Sequence, residues 1–430
     1  MKTKISNLFK KKFVRNVIIL SGGTVGAQVI AMLFSPVITR IYGPESYGVM
    51  GTFSSITRTI IPIAALSYPI AIVLPKDNRD AKGLIRLSLF ITIILSMISL
   101  IFLVLFNDII ISIFNLKEIG NFLYLIPLTI FFAGFMQVME QWMIRTKQFS
   151  VNARVTLIES LITNLSKVSI GTFYPLSIVL VITTAFTNGI KGFLMFILNK
   201  EPVHNKSSKD VSNYKNIKHL AKRHFDFPVY RAPEQFLNAA SNSLPILMLT
   251  AFFGPVSAGF YTIGRTVLRL PTQLIGKSVG DVFYPRIAEA YNNKENVAML
   301  IKRATLVLVG VGIIPYGTII LFGPQLFKII FGSDWFIAGK YARWLALWSF
   351  FGFINRPSVR SLAVLSAQRF HLFYTILMLI VRLSVLAIGY YIFSSDIVAI
   401  ALFGITGAIL NIGLITITLK ISRKETSKNE

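Results

Sequence analysis

Long apolar segments limit what this chain can fold into more than any other feature of its sequence. A helix needs about 20 consecutive, mainly apolar residues to cross the hydrocarbon core of a bilayer, and the 430-residue sequence holds about twelve such windows. Only 14% of the residues are charged, against roughly 25% in a soluble domain. The sequence therefore predicts an all-α polytopic membrane protein with about 12 transmembrane helices. The windows are centred near Ala27, Ile60, Leu95, Phe132, Ile162, Thr187, Asn238, Thr272, Gly312, Phe350, Met378 and Ala408.

The formal net charge of +26 would suggest nucleic-acid binding in a soluble chain, but such binding needs a basic face exposed to water. Here most of the 44 lysines and arginines lie in short loops between apolar windows and in both terminal segments. Basic residues accumulate on the cytoplasmic side of membrane proteins. We therefore expect both termini in the cytoplasm and no nucleic-acid partner.

The residue types that catalysis and metal binding require are scarce in this chain. Cysteine is absent, so neither a disulfide nor a thiolate metal site can form. The four histidines show no metal-ligand spacing. We expect no catalytic residues, no metal and no other cofactor, and a protein that is not an enzyme.

An internal repeat divides the chain. The sequence Tyr-Gly-Pro-Glu-Ser-Tyr-Gly at residues 42–48 returns as Phe-Gly-Pro-Val-Ser-Ala-Gly at residues 253–259, and the same spacing carries Arg58 onto Arg269. Each half holds six apolar windows. Because six is an even number, both halves should have one orientation in the membrane, related by an axis along its normal.

The repeat predicts three parts of the chain. Residues 1–199 and 226–430 should form two pseudo-symmetric six-helix bundles, the second with a cytoplasmic tail. Residues 200–225 between them carry many lysines and arginines and should form a basic cytoplasmic linker. For this linker we favour a solvated segment over a contact with anionic lipid headgroups.

Two arginines near the middle of apolar windows are the strongest indication of function. Arg58 lies about 16 Å along its window from Tyr47, in a bilayer core that is ~30 Å thick. Arg269 lies at a similar depth, with Arg265 one helical turn away. A guanidinium at that depth costs about 2.5 to 3.5 kcal/mol, so a membrane protein tends to keep one only for use. Two in register predict a central cationic cavity and an anionic cargo.

Other charges at membrane depth can join this site or neutralise each other. Arg382 lies near the middle of the eleventh window. Arg231 and Glu234 are spaced i,i+3, and Lys277 and Asp281 are spaced i,i+4, so each couple either pairs on one helix or lines the cavity. The predicted substrate-binding residues are Arg58, Arg269, Arg265, Arg382, Arg231 and Lys277.

The acidic residues leave alternatives open. For the arginines at membrane depth, the alternative to substrate binding is an ion pair across helices with Glu159 or Glu234. Glu159, Glu234 and Asp281 are also candidate coupling sites for a proton or sodium ion, although nothing in their spacing identifies one. Lys167 and Lys191 lie within snorkelling distance of an interface and rank lower as site residues.

Two segments resemble a known family. Ser-Gly-Gly-Thr-Val-Gly-Ala-Gln at residues 21–28, followed by Pro-Val-Ile-Thr-Arg-Ile-Tyr-Gly-Pro-Glu-Ser-Tyr-Gly at residues 36–48, resembles the first helix and loop of bacterial polysaccharide flippases of the Wzx type. The likeness extends through the second half, in Phe-Gly-Pro-Val-Ser-Ala-Gly-Phe-Tyr at residues 253–261. These flippases belong to the multidrug/oligosaccharidyl-lipid/polysaccharide exporter superfamily.

The resemblance implies a V-shaped pair of six-helix bundles in the bacterial cytoplasmic membrane, working by alternating access. The implied cargo is an undecaprenyl-diphosphate-linked oligosaccharide, whose diphosphate the arginines would bind. Implied partners are this lipid-linked oligosaccharide, membrane lipids, and polysaccharide polymerase and chain-length proteins. Related peptidoglycan-precursor flippases generally carry two further C-terminal helices. Their absence here favours units for capsule, O-antigen of lipopolysaccharide, exopolysaccharide or teichuronic-type polymers.

Two other functions remain as alternatives. A multidrug exporter of the same superfamily would need intramembrane carboxylates to attract cationic drugs, whereas this chain carries mainly cations at membrane depth. A membrane glycan polymerase or ligase would typically display a large outer loop with catalytic residues. The longest predicted outer loop, residues 322–340, contains one acid, Asp334.

Overall fold

The computed structural model describes residues 2–114, 119–201, 214–293 and 295–429. The described residues are 90% helical and contain no β-strand. They form two compact units: Met1–Tyr42 with Val49–Leu247, called the first unit here, and Gly43–Gly48 with Met248–Glu430, the second unit. The helices are α1 (Lys2–Ile41), α2 (Pro44–Ile60), α3 (Tyr68–Ala71), α4 (Asn78–Phe114), α5 (Ile126–Arg145), α6 (Phe149–Gly171), α7 (Ser177–Ile197), α8 (Tyr214–Arg223), α9 (Ala232–Asn292), α10 (Val297–Phe331), α11 (Phe336–Ile354), α12 (Arg356–Val364), α13 (Gln368–Tyr391) and α14 (Asp396–Asn429).

Each of the twelve predicted window centres lies in one of these helices. Eight segments in the described part of the chain are long and apolar enough to cross a membrane by themselves. The number is smaller than twelve for identifiable reasons. α2 ends after 17 residues, α6 and α11 carry charged residues within their spans, and α9 runs through two windows as one segment of 61 residues.

The repeated Gly-Pro pair interrupts a helix in both halves. α1 ends at Ile41 and α2 begins at Pro44. In the second half the interruption lies inside α9, where Gly254 has φ of 82° and ψ of 178°. Only glycine adopts this conformation without strain, and proline is favoured at the first position of the helix that follows. The sequence repeat therefore corresponds to a repeated break in the structure.

Residues at equivalent positions of the repeat also contact each other reciprocally within the second unit. A Cβ atom added to Gly48 would overlap the backbone carbonyl of Pro255, and one added to Gly259 would overlap the backbone carbonyl of Pro44. Small residues permit such close approach of helix backbones in membrane proteins. Glycine is therefore required here for packing rather than for its φ angle.

The second predicted span is broken soon after Arg58. α2 ends at Ile60, a 3-10 turn follows at Ile61–Ile63, and Ser67 has a positive φ of 59° before α3 begins. A break at membrane depth is tolerated when other groups satisfy the freed backbone. Here Gln137 Nε2 donates to the Ile61 carbonyl at 2.9 Å.

Arg145, at the end of α5, satisfies the chain beyond the break. Its Nη1 donates to the carbonyl oxygens of Ile72 at 3.1 Å and of Pro75 at 2.7 Å, and its Nη2 donates to Asn78 Oδ1 at 3.1 Å. One guanidinium thus fixes the segment between α3 and α4 through several hydrogen bonds.

Candidate functional site

In the first unit, Arg58 lies in the last turn of α2 and its side chain is exposed. The hydroxyl groups around it are used within the helix. Ser55 Oγ donates to the Gly51 carbonyl at 2.9 Å, and Thr59 Oγ1 donates to the Ser55 carbonyl at 2.8 Å. The hydrogen bonds of these hydroxyl groups therefore stay within α2.

Arg58 shares its surroundings with charged side chains of α6. Lys167 lies within electrostatic range of both Arg58, which repels it, and Glu159, which attracts it. Glu159 Oε1 accepts a hydrogen bond from Thr163 Oγ1 at 3.1 Å. Glu159 and Thr163 are one turn apart, and Lys167 follows one turn later, so the three share one face of α6.

A second acid and a second lysine extend this group onto α5 and α7. Lys191 Nζ lies 3.8 Å from Glu140 Oε1, with 18% of the lysine side chain exposed, and Lys191 also attracts Glu159. We call Arg58, Glu140, Glu159, Lys167 and Lys191 the mixed-charge cluster. Lys167 and Lys191 were not among the residues predicted for the site. The i,i+4 spacing on α6 was the available signal.

In the second unit, Arg382 of α13 lies against two aromatic rings. Its Cζ is 4.1 Å from the ring centroid of Trp348 and 4.3 Å from that of Phe403. The rings of Trp348 and Phe403 are themselves in edge contact, with centroids 5.4 Å apart. Cation–π attraction of this kind stabilises a cation that has lost its water.

Arg265 belongs to the same group. Its Cζ lies 5.9 Å from the ring centroid of Tyr261, and it is close enough to Arg382 for mutual repulsion. We call Arg265, Arg382, Tyr261, Trp348 and Phe403 the arginine–aromatic cluster. Both arginines were predicted at membrane depth, but their aromatic partners lie on three different helices and no local spacing indicates them.

The Arg382 guanidinium is close to two rings and keeps an unused donor. The ring centroids lie 4.1 and 4.3 Å from its Cζ, and the N–H groups of a guanidinium point outward in its plane. Its Nε is buried and has no hydrogen-bond acceptor among the described residues. Arg269, one turn beyond Arg265 in α9, is exposed. Anion binding by the cluster together with Arg269 therefore stays a prediction from the sequence.

The remaining predicted site residues lie elsewhere. Arg231 Nη1 lies 2.7 Å from Glu234 Oε2, and both side chains are at least half exposed, so this couple pairs on one helix as the i,i+3 spacing allowed. Lys277 and Asp281 fall in the segment 274–282, whose side chains lie outside the description. Within the described residues, no group of three or more histidine, aspartate or glutamate side chains could hold a metal ion.

Comparison with solved structures identifies the fold. The chain is similar to a multidrug resistance MATE family transporter of the MOP superfamily in an inward-facing conformation, with a TM-score of 0.70, 14% identity, and coverage of 93% of this chain and 95% of that one. It is similar to the lipid II flippase MurJ in an inward closed conformation, with a TM-score of 0.69, 16% identity, and coverage of 95% and 90%.

A third likeness is to an outward-facing multidrug resistance MATE family transporter of the MOP superfamily, with a TM-score of 0.60, 15% identity and coverage of 96% of both chains. No curated protein matches the sequence. A family model for polysaccharide biosynthesis proteins matches residues 37–338, which is more than half of the chain. The chain therefore belongs to the polysaccharide biosynthesis protein family, and it is a multi-pass membrane protein with the MOP-superfamily transporter fold.

Proposed function

We propose that this protein is a flippase that moves an undecaprenyl-diphosphate-linked oligosaccharide across the bacterial cytoplasmic membrane. The family match supports a role in polysaccharide biosynthesis, and the fold is that of transporters. The proposal includes cytoplasmic termini and alternating access. The MATE transporters of this fold in inward-facing and outward-facing conformations support the latter.

One observation carries the proposal: each unit holds two cations, on two of its helices, that are close enough to repel each other. These are Arg58 with Lys167 in the first unit and Arg265 with Arg382 in the second. Like charges at membrane depth are costly and are stabilised when an anion binds between them. A diphosphate is an anion with several acceptor oxygens, and arginine binds such oxygens with two hydrogen bonds at once.

The proposed site uses the arginines in different ways. Arg58 and Arg269 are exposed and would contact the diphosphate directly. Arg265 and Arg382 would contribute charge from the arginine–aromatic cluster. Arg231 is neutralised by Glu234 at 2.7 Å, so we give it a lesser part. Lys277 and, as a coupling residue, Asp281 remain proposals from the sequence.

Coupling to an ion also remains a proposal. Of the two candidate carboxylates that the structure describes, Glu159 is the better placed, because it lies in the mixed-charge cluster, whereas Glu234 pairs with Arg231 on an exposed face. Membrane lipids and polysaccharide polymerase and chain-length proteins are proposed partners. The glycan unit would serve capsule, O-antigen, exopolysaccharide or a teichuronic-type polymer.

Reconstitution tests the function directly. The purified chain is placed in liposomes with a fluorescent undecaprenyl-diphosphate-linked sugar, and the fraction accessible to an added quencher is followed over time. We expect faster exchange between leaflets than in empty liposomes, without lengthening of the sugar. A lengthened product would indicate a polymerase. Export of a cationic dye with no exchange of the lipid would indicate a multidrug exporter.

A further inference from the structure

The first unit contains an elongated apolar pocket that the cationic site does not use. Its volume is about 500 Å³, within the range of roughly 300 to 1,000 Å³ that ligand sites occupy. It lies between α2, α4, the start of α5 and the start of α9, and representative lining residues are Ile56, Ile60, Ser99, Ile110, Phe236 and Leu247.

The shape of the pocket follows from its lining. Ser99 and Ile110 lie eleven residues apart on α4, and Phe236 and Leu247 lie equally far apart on α9. At 1.5 Å per residue, each pair spans about 16 Å along its helix. The pocket is therefore a slot that runs along the helices, which suits a chain better than a compact ring system.

The chemistry of the lining favours hydrocarbon. Nine of the eleven lining residues are apolar, and the exceptions are Thr59 and Ser99. Thr59 Oγ1 already donates to the Ser55 carbonyl at 2.8 Å. A sugar or phosphate in this slot would lose its hydrogen bonds to water without replacement, and that loss is expensive. A hydrocarbon chain loses none.

Position relates the pocket to the proposed cargo. Ile56 and Ile60 line the pocket on α2, and Arg58 lies between them in sequence, on the other face of the same turn. The two sites are therefore separated by about one helix diameter, ~10 Å. A long chain attached to a diphosphate near Arg58 can reach across that distance.

We propose that this pocket binds part of the polyprenyl chain of the lipid-linked cargo. The inference rests on the proposed function and names the part of the substrate that the first unit holds. Bilayer lipid already surrounds such a chain with hydrocarbon, so the pocket adds selectivity through packing rather than through the hydrophobic effect. The methyl-branched polyprenyl chain, and not the straight acyl chain of bulk phospholipid, is the occupant.

Photolabelling tests this assignment. The full chain in phosphatidylcholine nanodiscs is incubated with a polyprenyl diphosphate that carries a diazirine near the end of its chain, irradiated, and mapped by peptide mass spectrometry. We expect label in α2 near Ile56 and in α4 between Ser99 and Ile110. Excess unlabelled polyprenyl diphosphate should compete, and a straight-chain phosphatidic acid should not.

Two phenylalanine variants, one inside the pocket and one outside it, provide a matched comparison. Ser99→Phe places a ring in the slot and should lower labelling about fivefold or more, the effect expected of overpacking. Ile101→Phe adds a ring on the same helix at a side chain that is 59% exposed, and it should leave labelling unchanged. Both variants are checked for monodispersity. If Ser99→Phe does not fold, the position of the photolabel in the unaltered protein still decides whether the pocket is occupied.

The outcomes separate this inference from the proposed function. Label outside the pocket, or equal competition by phosphatidic acid, overturns the inference, even if the reconstituted protein still translocates the lipid-linked sugar. Label in the pocket without any translocation of that sugar leaves the binding site in place and removes the flippase function.

Discussion

Arg58 and Arg269 occupy equivalent positions of the repeat, yet they stand on different kinds of helix. Arg58 ends a helix that breaks at Ile60, whereas Arg269 lies inside a helix that continues to Asn292. Two prolines, Pro62 and Pro69, follow Arg58 closely. The repeat therefore specifies where a guanidinium is placed, and the residues that follow specify how its backbone is held.

The continuous helix in the second half also contains a proline, Pro271, two residues after Arg269. A proline inside a helix removes one hydrogen bond and disturbs the preceding turn. There the Tyr316 hydroxyl lies 2.6 Å from Thr272 Oγ1 and 3.5 Å from the Leu268 carbonyl. One buried tyrosine thus supports the helix where, in the first unit, a break is stabilised by Gln137.

The side chains that surround the cations also differ between the two units. The mixed-charge cluster of the first unit combines Arg58 with two lysines and two glutamates. The arginine–aromatic cluster of the second unit places one ring near Arg265 and two rings near Arg382. An acid beside a lysine can exchange a proton or an ion, whereas a ring cannot. We therefore propose that any ion coupling lies in the first unit and that the second unit holds a permanently charged anion site.

The largest expected effect tests whether the two arginines act alike despite these surroundings. Arg58→Ala and Arg269→Ala should each slow translocation of the lipid-linked sugar roughly 10- to 100-fold, because each removes hydrogen bonds from a charged group. Lysine at either position should restore activity only in part, since it supplies a point charge and not a planar fork.

The control for this experiment is Arg303→Ala, which removes an exposed arginine at the start of α10. It should transport normally. Normal transport by both Arg58→Ala and Arg269→Ala would remove these residues from the site, and a loss in only one of them would show that the two halves do not contribute equally.

A second prediction concerns the reciprocal glycine contact. Gly48→Ala should destabilise the protein by about 1–3 kcal/mol, the usual cost of overpacking, because its Cβ would overlap the Pro255 carbonyl. Gly259→Ala should act likewise at Pro44. Gly22→Ala provides the control, since a Cβ there meets nothing within 4 Å. Thermal unfolding in detergent measures all three, and equal melting temperatures would contradict the contact.

Features that depend on neighbouring residues along the chain could be predicted from the sequence. The sequence aligned Gly43-Pro44 with Gly254-Pro255, where the structure has a helix interruption. It also left open two roles for Arg231 and Glu234, and the structure shows the pairing, which depends on neighbours along the chain. The prediction of an all-α membrane protein with the superfamily fold is confirmed.

The surroundings of the arginines could not be predicted in this way. Trp348 and Phe403 approach Arg382 from two other helices, and no local spacing relates these residues. The break after Ile60 likewise depends on Gln137, which lies 76 residues away. Such contacts follow from helix packing, which hydrophobic periodicity alone does not specify.

The third prediction asks whether the membrane potential drives transport or whether Glu159 couples transport to an ion gradient. A diphosphate carries about two negative charges, and outward movement of each gains roughly 2.3 kcal/mol per 100 mV of inside-negative potential. In proteoliposomes at equal pH without sodium, a potassium–valinomycin potential should therefore accelerate outward translocation severalfold. Glu159→Gln should keep this response, because the cargo carries the charge. A rate that ignores potential but follows a proton gradient, and loses that response in Glu159→Gln, would assign coupling to Glu159.

The fourth prediction concerns the aromatic surroundings in the second unit. Trp348→Leu should lower the rate only a fewfold, because cation–π contacts contribute about 0.5 to 2 kcal/mol and the charge of Arg382 remains. Trp344→Leu on the same helix is the matched control, since its ring makes no described contact with Arg382. A loss as large as that of Arg269→Ala would mean that Trp348 itself touches the substrate.

The smallest expected effect is on thermal stability. It concerns two connecting segments, one between α3 and α4 in the first unit and one between α9 and α10 in the second. In the first unit, Arg145 donates hydrogen bonds to backbone carbonyls of the segment between α3 and α4. In the second unit, Arg286 forms an exposed ion pair with Glu295 at 2.5 Å. Exposed pairs contribute little and are screened by salt. We therefore expect Glu295→Gln to lower the melting temperature slightly at low salt and not at high salt, and Arg145→Ala to lower it more at both.

The pH dependence of that small effect has a definite sign. The hydrogen bond from Arg286 lowers the pKa of the Glu295 carboxyl below its ordinary value of 4.5. A carboxyl with a lowered pKa stabilises the folded protein above its ordinary pKa, and this contribution is lost as the pH falls through the lowered value. The difference in melting temperature between the unaltered protein and Glu295→Gln should thus be constant from neutral pH down to about 5 and should vanish in more acidic buffer. Glu289→Gln, whose carboxylate lies 3.7 Å from Arg286, should show a smaller difference throughout. A difference that grows on acidification would mean that Glu295 does not stabilise this loop through its charge, and the contrast with Arg145 would then rest on the first unit alone.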